Sequence, residues 1–394
     1  MKKLLCLVLL LCLSLQAFVS CDSVSSDTIK IGSVHPLTGS MAYEGQALVN
    51  TQQIAIDKIN ASGGINGKML ELVVADSLGT VYGSSSAAQK LINKGVIALT
   101  GTYTSSSAQI VSREAEKARV PFVVTVAASD SLLKNGYKYS FRIQPSTEIF
   151  SKNFIEYFEY IKTDDMRTVA FIYEDSNYGT GIVNYITKNI EKTGLEIIGS
   201  ISYSATTSTL SAEVTRLAGL APDVLIPIGY YSDQAMLVKE ILDREIEFDT
   251  IIGVANGAFS DAKLTEMYGD RLNGILDINY RYNVNSKETE ELLAEYKNRF
   301  GEEMPVSAVY GYESIMVIAD ALKRSEDLSP ESLRNALAAT NISDHVLPQK
   351  NIAFDKDGEG TESAGVLIQI QNGKQKIVYP IEYSQCEYLP KKEK

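Results

Sequence analysis

Two apolar strands predicted in this chain each run directly into a cluster of small hydroxyl residues that begins a predicted helix. The clusters lie in VIALTGTYTSSSAQ, from Val96 to Gln109, and in PFVVTVAASDS, from Pro121 to Ser131. A strand that ends where a helix begins is typical of parallel sheets flanked by helices. Each cluster offers free backbone N–H groups and hydroxyls at a helix N-terminus, where the helix dipole attracts anions. The pattern therefore predicts an α/β fold with a site for a small polar ligand that carries a carboxylate.

The same alternation of strand and helix extends along the chain from about residue 28. It begins with TIKIGSV and the helical stretch from Gly45 to Ile59, and it restarts at TVAFIYEDSNYG, from Thr168 to Gly179. A chain of 394 residues is too long for one hydrophobic core. We therefore predict an α/β protein of two lobes, each a parallel sheet flanked by helices.

Three stretches are predicted to carry the chain between the lobes and to set the domain boundaries. They lie at residues 144–146, 271–283 and 351–360. The first lobe then comprises 28–144 with 279–352, and the second lobe comprises 145–278 with 353–388. Several short connections permit bending about one axis and resist twist, so we expect the cleft to open and close.

The N-terminus has the order of an export signal. Lys2 and Lys3 precede an apolar run from Leu4 to Leu15, which is shorter than a membrane span. We predict a signal peptide over 1–20, and a tether over 21–27 that follows the lipobox-like string FVSC. Cys21 would then carry a lipid that anchors the exported protein in the periplasm or at the cell surface. The alternative is cleavage elsewhere, which would leave a free thiol.

Composition and motifs argue against other classes of protein. The formal net charge of −12 disfavours nucleic acid as a partner. The calcium-loop-like string DKDGEG has its glycine too early and lacks the final Glu, so no metal is expected. The S-x-x-K string from Ser131 to Lys134 lacks the S-D-N motif of penicillin-recognising serine enzymes. We therefore predict no cofactor, no catalytic residue and no enzyme activity, with a serine hydrolase as a remote alternative.

Ser105 is the strongest candidate for the carboxylate, because three serines follow Thr104 where a helix cap needs only one hydroxyl. Ser129 and the carbonyl of Ala127 are placed to receive an ammonium group. Tyrosine is abundant, with 22 copies against no tryptophan. Tyr43, Tyr178 and Tyr230 are among those that follow strands, where an aromatic ring with a polar tip suits a wet cleft.

These residues resemble the leucine/isoleucine/valine-binding proteins, among the type I periplasmic solute-binding proteins of ABC importers. Six segments occur in the family's order: IKIGSVHPLTGSMAYEGQ, INASGGINGKMLELVVADS, LTGTYTSSSAQ, VPFVVTVAAS, AFIYEDSNYGTG and GVANGAFSD. The resemblance implies the two-lobed type I fold with three inter-lobe crossings, an amino-acid ligand and an ABC permease as partner. The roles that it implies are cover of the ligand by Tyr43 and Tyr178, α-carboxylate binding by Ser105, contact with both ligand ends by Ala127 and Ser129, and a second-lobe wall at Tyr230.

One departure from the family concerns the ligand's ammonium group. Where amino-acid binders of the family usually carry an acid, this chain places Asn256, or Ala255 after a one-residue adjustment. Either Asp130, Glu174 or Asp175 supplies the charge, or the ligand is an amide, a urea-like compound or a carboxylate.

We therefore expect a solute-binding protein of an ABC importer. Its most favoured ligand is a branched-chain or other hydrophobic amino acid, held by Tyr43, Ser105, Ala127, Ser129, Tyr178, Tyr230 and Asn256. A ligand-sensing ectodomain on the same fold is the alternative from another class.

Overall fold

The computed structural model describes residues 28–390. The predicted signal peptide, the tether and the lipidation of Cys21 lie outside the described residues.

The first sheet consists of parallel strands from the N-terminal part of the chain. They are β1 (Ile29–His35), β2 (Leu70–Asp76), β3 (Ala98–Gly101), β4 (Phe122–Val124) and β5 (Ser140–Arg142). Their order is β2–β1–β3–β4–β5. Helices α1 (Ala42–Ala61), α2 (Val81–Asn93) and α3 (Ser105–Ala118) connect the first four strands.

The second sheet is mixed. Its strands are β6 (Thr168–Glu174), β7 (Glu196–Tyr203), β8 (Val224–Ile228), β9 (Thr250–Val254), β10 (Leu276–Asn279), and, later in the chain, Val366–Gln371 and Lys374–Tyr379. The first five strands run parallel, and the last two form an antiparallel hairpin added at the β10 edge. Its turn is Asn372–Gly373, with φ of +52° and +66°. Two left-handed residues fit a two-residue hairpin turn, as the Asn-Gly pair predicts.

The helices of the second sheet and those after it complete the layers. They are α4 (Thr147–Ile161), α5 (Asn177–Asn189), α6 (Ser211–Leu220), α7 (Tyr231–Asp243), α8 (Ala262–Tyr268), α9 (Lys287–Phe300), α10 (Val309–Arg324) and α11 (Pro330–Ala338). α4 packs on α5, whereas α10 packs on α1 of the first sheet. The Thr51 hydroxyl on α1 donates to the carbonyl of Ala308, just before α10, at 2.6 Å. A short antiparallel pair, β11 (Asn341–Ile342) and β12 (Ile352–Ala353), precedes the hairpin, whose strands are β13 and β14.

Within residues 28–390 the chain passes between the two sheets three times: from β5 to α4, from β10 to α9, and from β12 to β13. Parallel sheets flanked by helices confirm the predicted α/β class. The physical basis is the alternation of buried strands with capped helices: Thr104, Ser146 and Ser176 each accept a backbone N–H at the start of the helix that follows.

Candidate functional site

A small cavity, partly open to solvent, lies between the two sheets. Nearly all of its lining residues follow the carboxyl end of a strand. The lining consists of Tyr103, Ser105, Val126, Ala128, Phe150, Tyr178, Gly229, Tyr230, Ala255, Gly257 and Tyr280. Carboxyl ends of parallel strands are where open α/β sheets bind ligands. Six strands thus converge on one hollow within the described chain, and the lining residues that follow them lie one to four positions after the strand ends.

Ser105 begins α3 at the first-sheet side of the cavity. Thr104 is the cap of this helix, since its hydroxyl accepts the Ser107 N–H at 3.3 Å. Ser105 is only 3% exposed, and its Oγ accepts the Ser129 N–H at 3.1 Å. That bond ties together the two hydroxyl clusters. A free hydroxyl proton and the adjoining helix N-terminus remain to face an anionic group.

The second cluster does not begin an α-helix. Ser129 is followed by a single 3₁₀ turn, Asp130–Leu132. The expectation of two helix N-termini at the site is therefore wrong, and the dipole of α3 alone acts here. The chain folds differently because the Asp130 carboxylate is used elsewhere: its Oδ1 accepts the Glu148 N–H at 3.0 Å, at the start of α4.

Ala127 and Ser129 lie beside the cavity but are not among its lining residues. Their carbonyl oxygens accept hydrogen bonds from Nη1 of Arg142, at 3.4 and 2.9 Å. The Ser129 hydroxyl lies 3.0 Å from the Ser131 hydroxyl. Ala128 lines the cavity between them. In this arrangement the Ala127 carbonyl accepts a hydrogen bond from a guanidinium, and its contact with an ammonium group stays a prediction.

Arg142 is fully buried, and its guanidinium meets the carboxylate of Glu359 in a two-pronged pair. Nε donates to Oε1 at 2.9 Å, and Nη2 donates to Oε2. Arg142 ends β5, and Glu359 lies between β12 and β13. The pair therefore joins the first sheet to the last passage between the sheets, and it orients the loop that contains Ala127 and Ser129.

Tyrosine rings form the opposite wall. The ring of Tyr230 lies 5.5 Å from the ring of Tyr103 and 5.2 Å from that of Tyr178. The Tyr178 hydroxyl donates to the Ala255 carbonyl. Burial raises the pKa of all three phenols well above its ordinary value, so each stays a neutral hydrogen-bond donor. Such a wall covers an aliphatic group and still offers polar tips.

Tyr43 is displaced from the cavity. Its hydroxyl donates to Oδ1 of Asp261 at 3.2 Å, its ring lies 5.1 Å from the ring of Tyr231, and Nζ of Lys263 lies 3.9 Å from its ring centre. These partners belong to the second-sheet side, so Tyr43 joins the lobes at the rim. It does not line the cavity.

Asn256 is a structural residue in this arrangement. Its Nδ2 donates to Oε1 of Gln234 at 2.7 Å, and its Oδ1 accepts the N–H groups of Ala258 and Phe259. The side chain therefore points into the second lobe. Ala255, the alternative position, lines the cavity instead, in a left-handed backbone conformation with φ of +53°.

The three acids proposed for the ammonium group are not among the lining residues. Asp130 caps α4 as described, and Asp175 is exposed. Glu174 is buried, but it accepts from the Ser176 N–H, the Ser176 hydroxyl and the Gly179 N–H at 2.7–2.9 Å. The Glu174 carboxylate is thus occupied by donors from the turn that follows it.

Sequence reasoning missed a set of buried acids around the cleft. Glu44, Asp233, Asp261 and Asp277 are each at most 3% exposed. Burial raises the pKa of Glu44 to about 8, of Asp233 and Asp277 to about 7, and of Asp261 to about 6. The missed signal at Glu44 is weak, because an acid in the first turn of a helix is ordinary.

The sequence profile of the periplasmic binding protein family matches residues 28–375. The chain belongs to this family. Homolog 8 of the Leu/Ile/Val-binding proteins from Brucella abortus (strain 2308) is 28% identical over 369 residues, covering 89% of this chain and 90% of the homolog. Homolog 7 from Brucella suis biovar 1 (strain 1330) is 27% identical over 385 residues, covering 94% and 96%.

Solved structures share the fold. The branched-chain amino acid transporter substrate-binding protein LivJ from Streptococcus pneumoniae, in complex with isoleucine, has a TM-score of 0.76 at 25% identity, over 88% of this chain and 97% of LivJ. A solute-binding protein from R. palustris in complex with benzoate has a TM-score of 0.79 at 16% identity, over 91% of this chain and 99% of that protein. In residues 28–390 no helix is long and apolar enough to span a bilayer, and no cluster of metal-ligating side chains is present there.

Proposed function

We propose that this protein is the exported solute receptor of an ABC importer and that its ligand is a branched-chain amino acid. The observation that carries the proposal is the cavity between the sheets, where Ser105 at the start of α3 faces a wall of tyrosines. The Leu/Ile/Val-binding homologues and the isoleucine complex of LivJ support the choice of ligand. The protein performs no chemistry and hands its ligand to a membrane permease.

Ligand binding begins on the first lobe. The ligand's carboxylate accepts hydrogen bonds from the Ser105 hydroxyl and from N–H groups at the start of α3, because each alone contributes about 1–3 kcal/mol and several must replace the lost water. Closure then brings Tyr178 and Tyr230 over the aliphatic side chain. Closure is favoured only as far as these second-lobe contacts stabilise it.

The division into lobes at 28–144 with 279–352 and 145–278 with 353–388 fits this motion in outline, since the first part contains β1–β5 and the second contains most of the second sheet. The boundaries at 279 and 353 fall inside β10 and β12. Lipid attachment at Cys21 would hold the exported protein beside its permease. Mass spectrometry of the mature protein tests the anchor, since a diacylglyceryl group on Cys21 is expected.

A carboxylate without an amino group is the second candidate ligand. It is favoured by one observation: none of the residues that line the cavity in the described chain is charged. The benzoate complex of the R. palustris protein shows that the fold accepts such a solute in that relative.

Binding measurements decide between the candidates. Isothermal titration calorimetry with leucine, isoleucine, valine, benzoate and 4-methylpentanoate is expected to give the tightest binding with a branched-chain amino acid. A ligand-induced rise in melting temperature supplies an independent readout. Binding of benzoate alone, with none of the amino acids, would contradict the proposal.

Ser105→Ala is expected to weaken the binding of the amino acid by about tenfold or more, because a hydrogen bond to a charged carboxylate is lost. Calorimetry of the two proteins measures the change. Ser112→Ala is the matched control on the same helix: its hydroxyl bonds to that of Ser140 at 2.6 Å, away from the cavity. An unchanged affinity in Ser105→Ala would remove Ser105 from the site.

A further inference from the structure

Glu44 is a buried acid that the binding scheme above does not use. It lies in the first turn of α1 and is 3% exposed. Its Oε1 is buried without a hydrogen-bond partner among the described residues. A buried carboxylate oxygen without a partner costs free energy, so its retention calls for a compensating group.

The surroundings of Glu44 place it against the cavity wall. The Tyr103 hydroxyl lies within hydrogen-bonding reach of its carboxylate, and Glu44 also acts on the pKa of Tyr280. Both tyrosines line the cavity. α1 thus places the acid beside residues that line the cavity, although Glu44 is not itself one of the lining residues.

The charges that act most strongly on Glu44 are themselves negative. Burial raises the pKa of Glu44 to about 8, and Asp261 and Asp233, from the second-sheet side, contribute in the same direction. The titratable groups that face it across the cleft are Tyr103, Tyr231, Asp233, Asp261 and Tyr280. Lys263 acts on Asp261 and lies over the ring of Tyr43. Several acidic side chains therefore lie close together in the closed cleft. A cationic group on the ligand would offset the negative charge of their ionised forms.

We propose that Glu44 binds the ammonium group of the ligand and so selects amino acids over plain carboxylates. This inference rests on the proposed function and names the acid that Asn256 and Ala255 lack. Ser105 then holds one end of the zwitterion, and Glu44 holds the other from the same lobe.

The competing acids are already engaged. Asp233 accepts the Tyr203 hydroxyl at 2.5 Å, and Asp277 accepts the Ser260 hydroxyl at 2.6 Å. Asp261 caps α8 through the Lys263 N–H at 2.9 Å and accepts from Tyr43. Glu44 differs from Asp261 and Asp277 in having a buried oxygen without a partner in the described structure. Asp233 shares this feature at its Oδ1, but it follows β8 of the second sheet, whereas Glu44 lies on the same lobe as Ser105.

The test compares three probes on Glu44→Gln: L-leucine, 4-methylpentanoate, which lacks the amino group, and 3-methylbutylamine, which lacks the carboxylate. We expect roughly a hundredfold weaker binding of leucine, because the buried ion pair is lost. The amine is expected to lose affinity as well. Binding of 4-methylpentanoate is expected to stay the same, since it has no ammonium group to pair with Glu44 and the raised pKa of Glu44 leaves this side chain protonated near pH 7.

Glu313→Gln is the matched control. Glu313 is 1% exposed on α10 of the same side of the molecule, and burial raises its pKa to about 8, as for Glu44. Neither Glu313 nor Glu44 is among the lining residues, but Oε2 of Glu313 accepts the Val346 N–H at 3.1 Å, whereas Oε1 of Glu44 has no partner in the described structure. The control variant is expected to bind leucine as the wild type does. Thermal unfolding of both variants verifies that each is folded.

The number of protons released on ligand binding is a second measurement. It would be the same in the wild type and in Glu44→Gln if Glu44 had a purely structural role. An ammonium group requires an ionised partner, so leucine binding at about pH 7 should release about one proton from the wild type and fewer from Glu44→Gln. Calorimetry in buffers of different ionisation enthalpy measures the number. The number of protons released by Glu44→Gln is subtracted from the number released by the wild type. This subtraction cancels the protons that Asp233 and Asp261 contribute in both proteins.

The outcomes separate this inference from the proposed function. If the wild type binds leucine and Glu44→Gln binds it equally well, the role of Glu44 is wrong and the proposed function stands. If the wild type binds 4-methylpentanoate or benzoate but no compound with an amino group, both are wrong.

Discussion

Glu359→Gln is expected to lower the free energy of unfolding by about 3–5 kcal/mol, because it leaves the Arg142 guanidinium buried without a counter-charge. Arg142 is 0% exposed, and its Nε and Nη2 both donate to Glu359. The remaining donor, Nη1, already serves the carbonyls of Ala127 and Ser129. The Glu359 side chain is 24% exposed, but the Arg142 side chain that it neutralises is fully buried. Urea denaturation followed by circular dichroism measures the change.

The control for this prediction is an exposed ion pair. Lys239 and Asp243 are 63% and 53% exposed on α7, so Asp243→Asn is expected to change the unfolding free energy by less than about 1 kcal/mol. The double variant Arg142→Met with Glu359→Leu should recover part of the stability lost in Glu359→Gln, since two apolar groups leave no buried charge. A cost below about 1 kcal/mol for Glu359→Gln would show that its carboxylate is replaced by solvent.

The unfolding free energy is expected to fall by several kcal/mol as the pH rises from about 6.5 to about 9. Burial raises the pKa of Glu44 and Glu313 to about 8, and of Asp233 and Asp277 to about 7. At a pH between its pKa in the unfolded state and its pKa in the folded state, each of these carboxyls binds more protons in the folded state than in the unfolded state. Stability therefore decreases with pH across this window, and it is lost as the pH passes the folded pKa.

His35 acts with the opposite sign at lower pH. It is 0% exposed, and burial lowers its pKa to about 3. Between about pH 3 and pH 6.5 the unfolded state holds the extra proton on this histidine, so its contribution to stability grows as the pH rises. The carboxyls oppose this trend there, and above about pH 6.5 they act alone. Maximum stability is thus expected on the acidic side of neutrality.

Glu313→Gln isolates one contribution. Its side chain cannot ionise, so we expect the loss of stability between about pH 6.5 and pH 9 to shrink by about 2 kcal/mol. Urea midpoints at several pH values measure the slope in both proteins. A wild-type profile that is flat or rises over this window would contradict the assignment of buried, protonated carboxyls.

Much of the fold follows from local sequence signals. The predicted helical stretch from Gly45 to Ile59 lies within α1 (Ala42–Ala61), and α4 begins after Ser146, which caps it through the Ile149 N–H. The Asn372–Gly373 turn is equally local, since both residues accept positive φ. The resemblance to known solute-binding proteins added the arrangement of the two lobes around one cleft. The alternation of strands and helices along the chain does not specify this arrangement.

The site was predicted less completely. Ser105, Tyr178 and Tyr230 line the cavity, whereas Ala127, Ser129, Tyr43 and Asn256 serve neighbouring networks. For Asn256 the reason is its amide, which satisfies Gln234 and two backbone N–H groups inside the lobe. No local pattern encodes which of Ala255 and Asn256 turns toward the cleft.

The sequence by itself determined the alternation of strands and helices, the caps and the hydroxyl cluster that begins α3, because these depend on residues close together in the chain. The tertiary structure alone decided that Glu44 and Arg142 are buried, since their partners are distant in sequence. Glu359 is 217 positions from Arg142, and Asp261 and Asp233 approach Glu44 only when the lobes meet. Burial sets the charge state of such groups, and burial belongs to the folded chain as a whole.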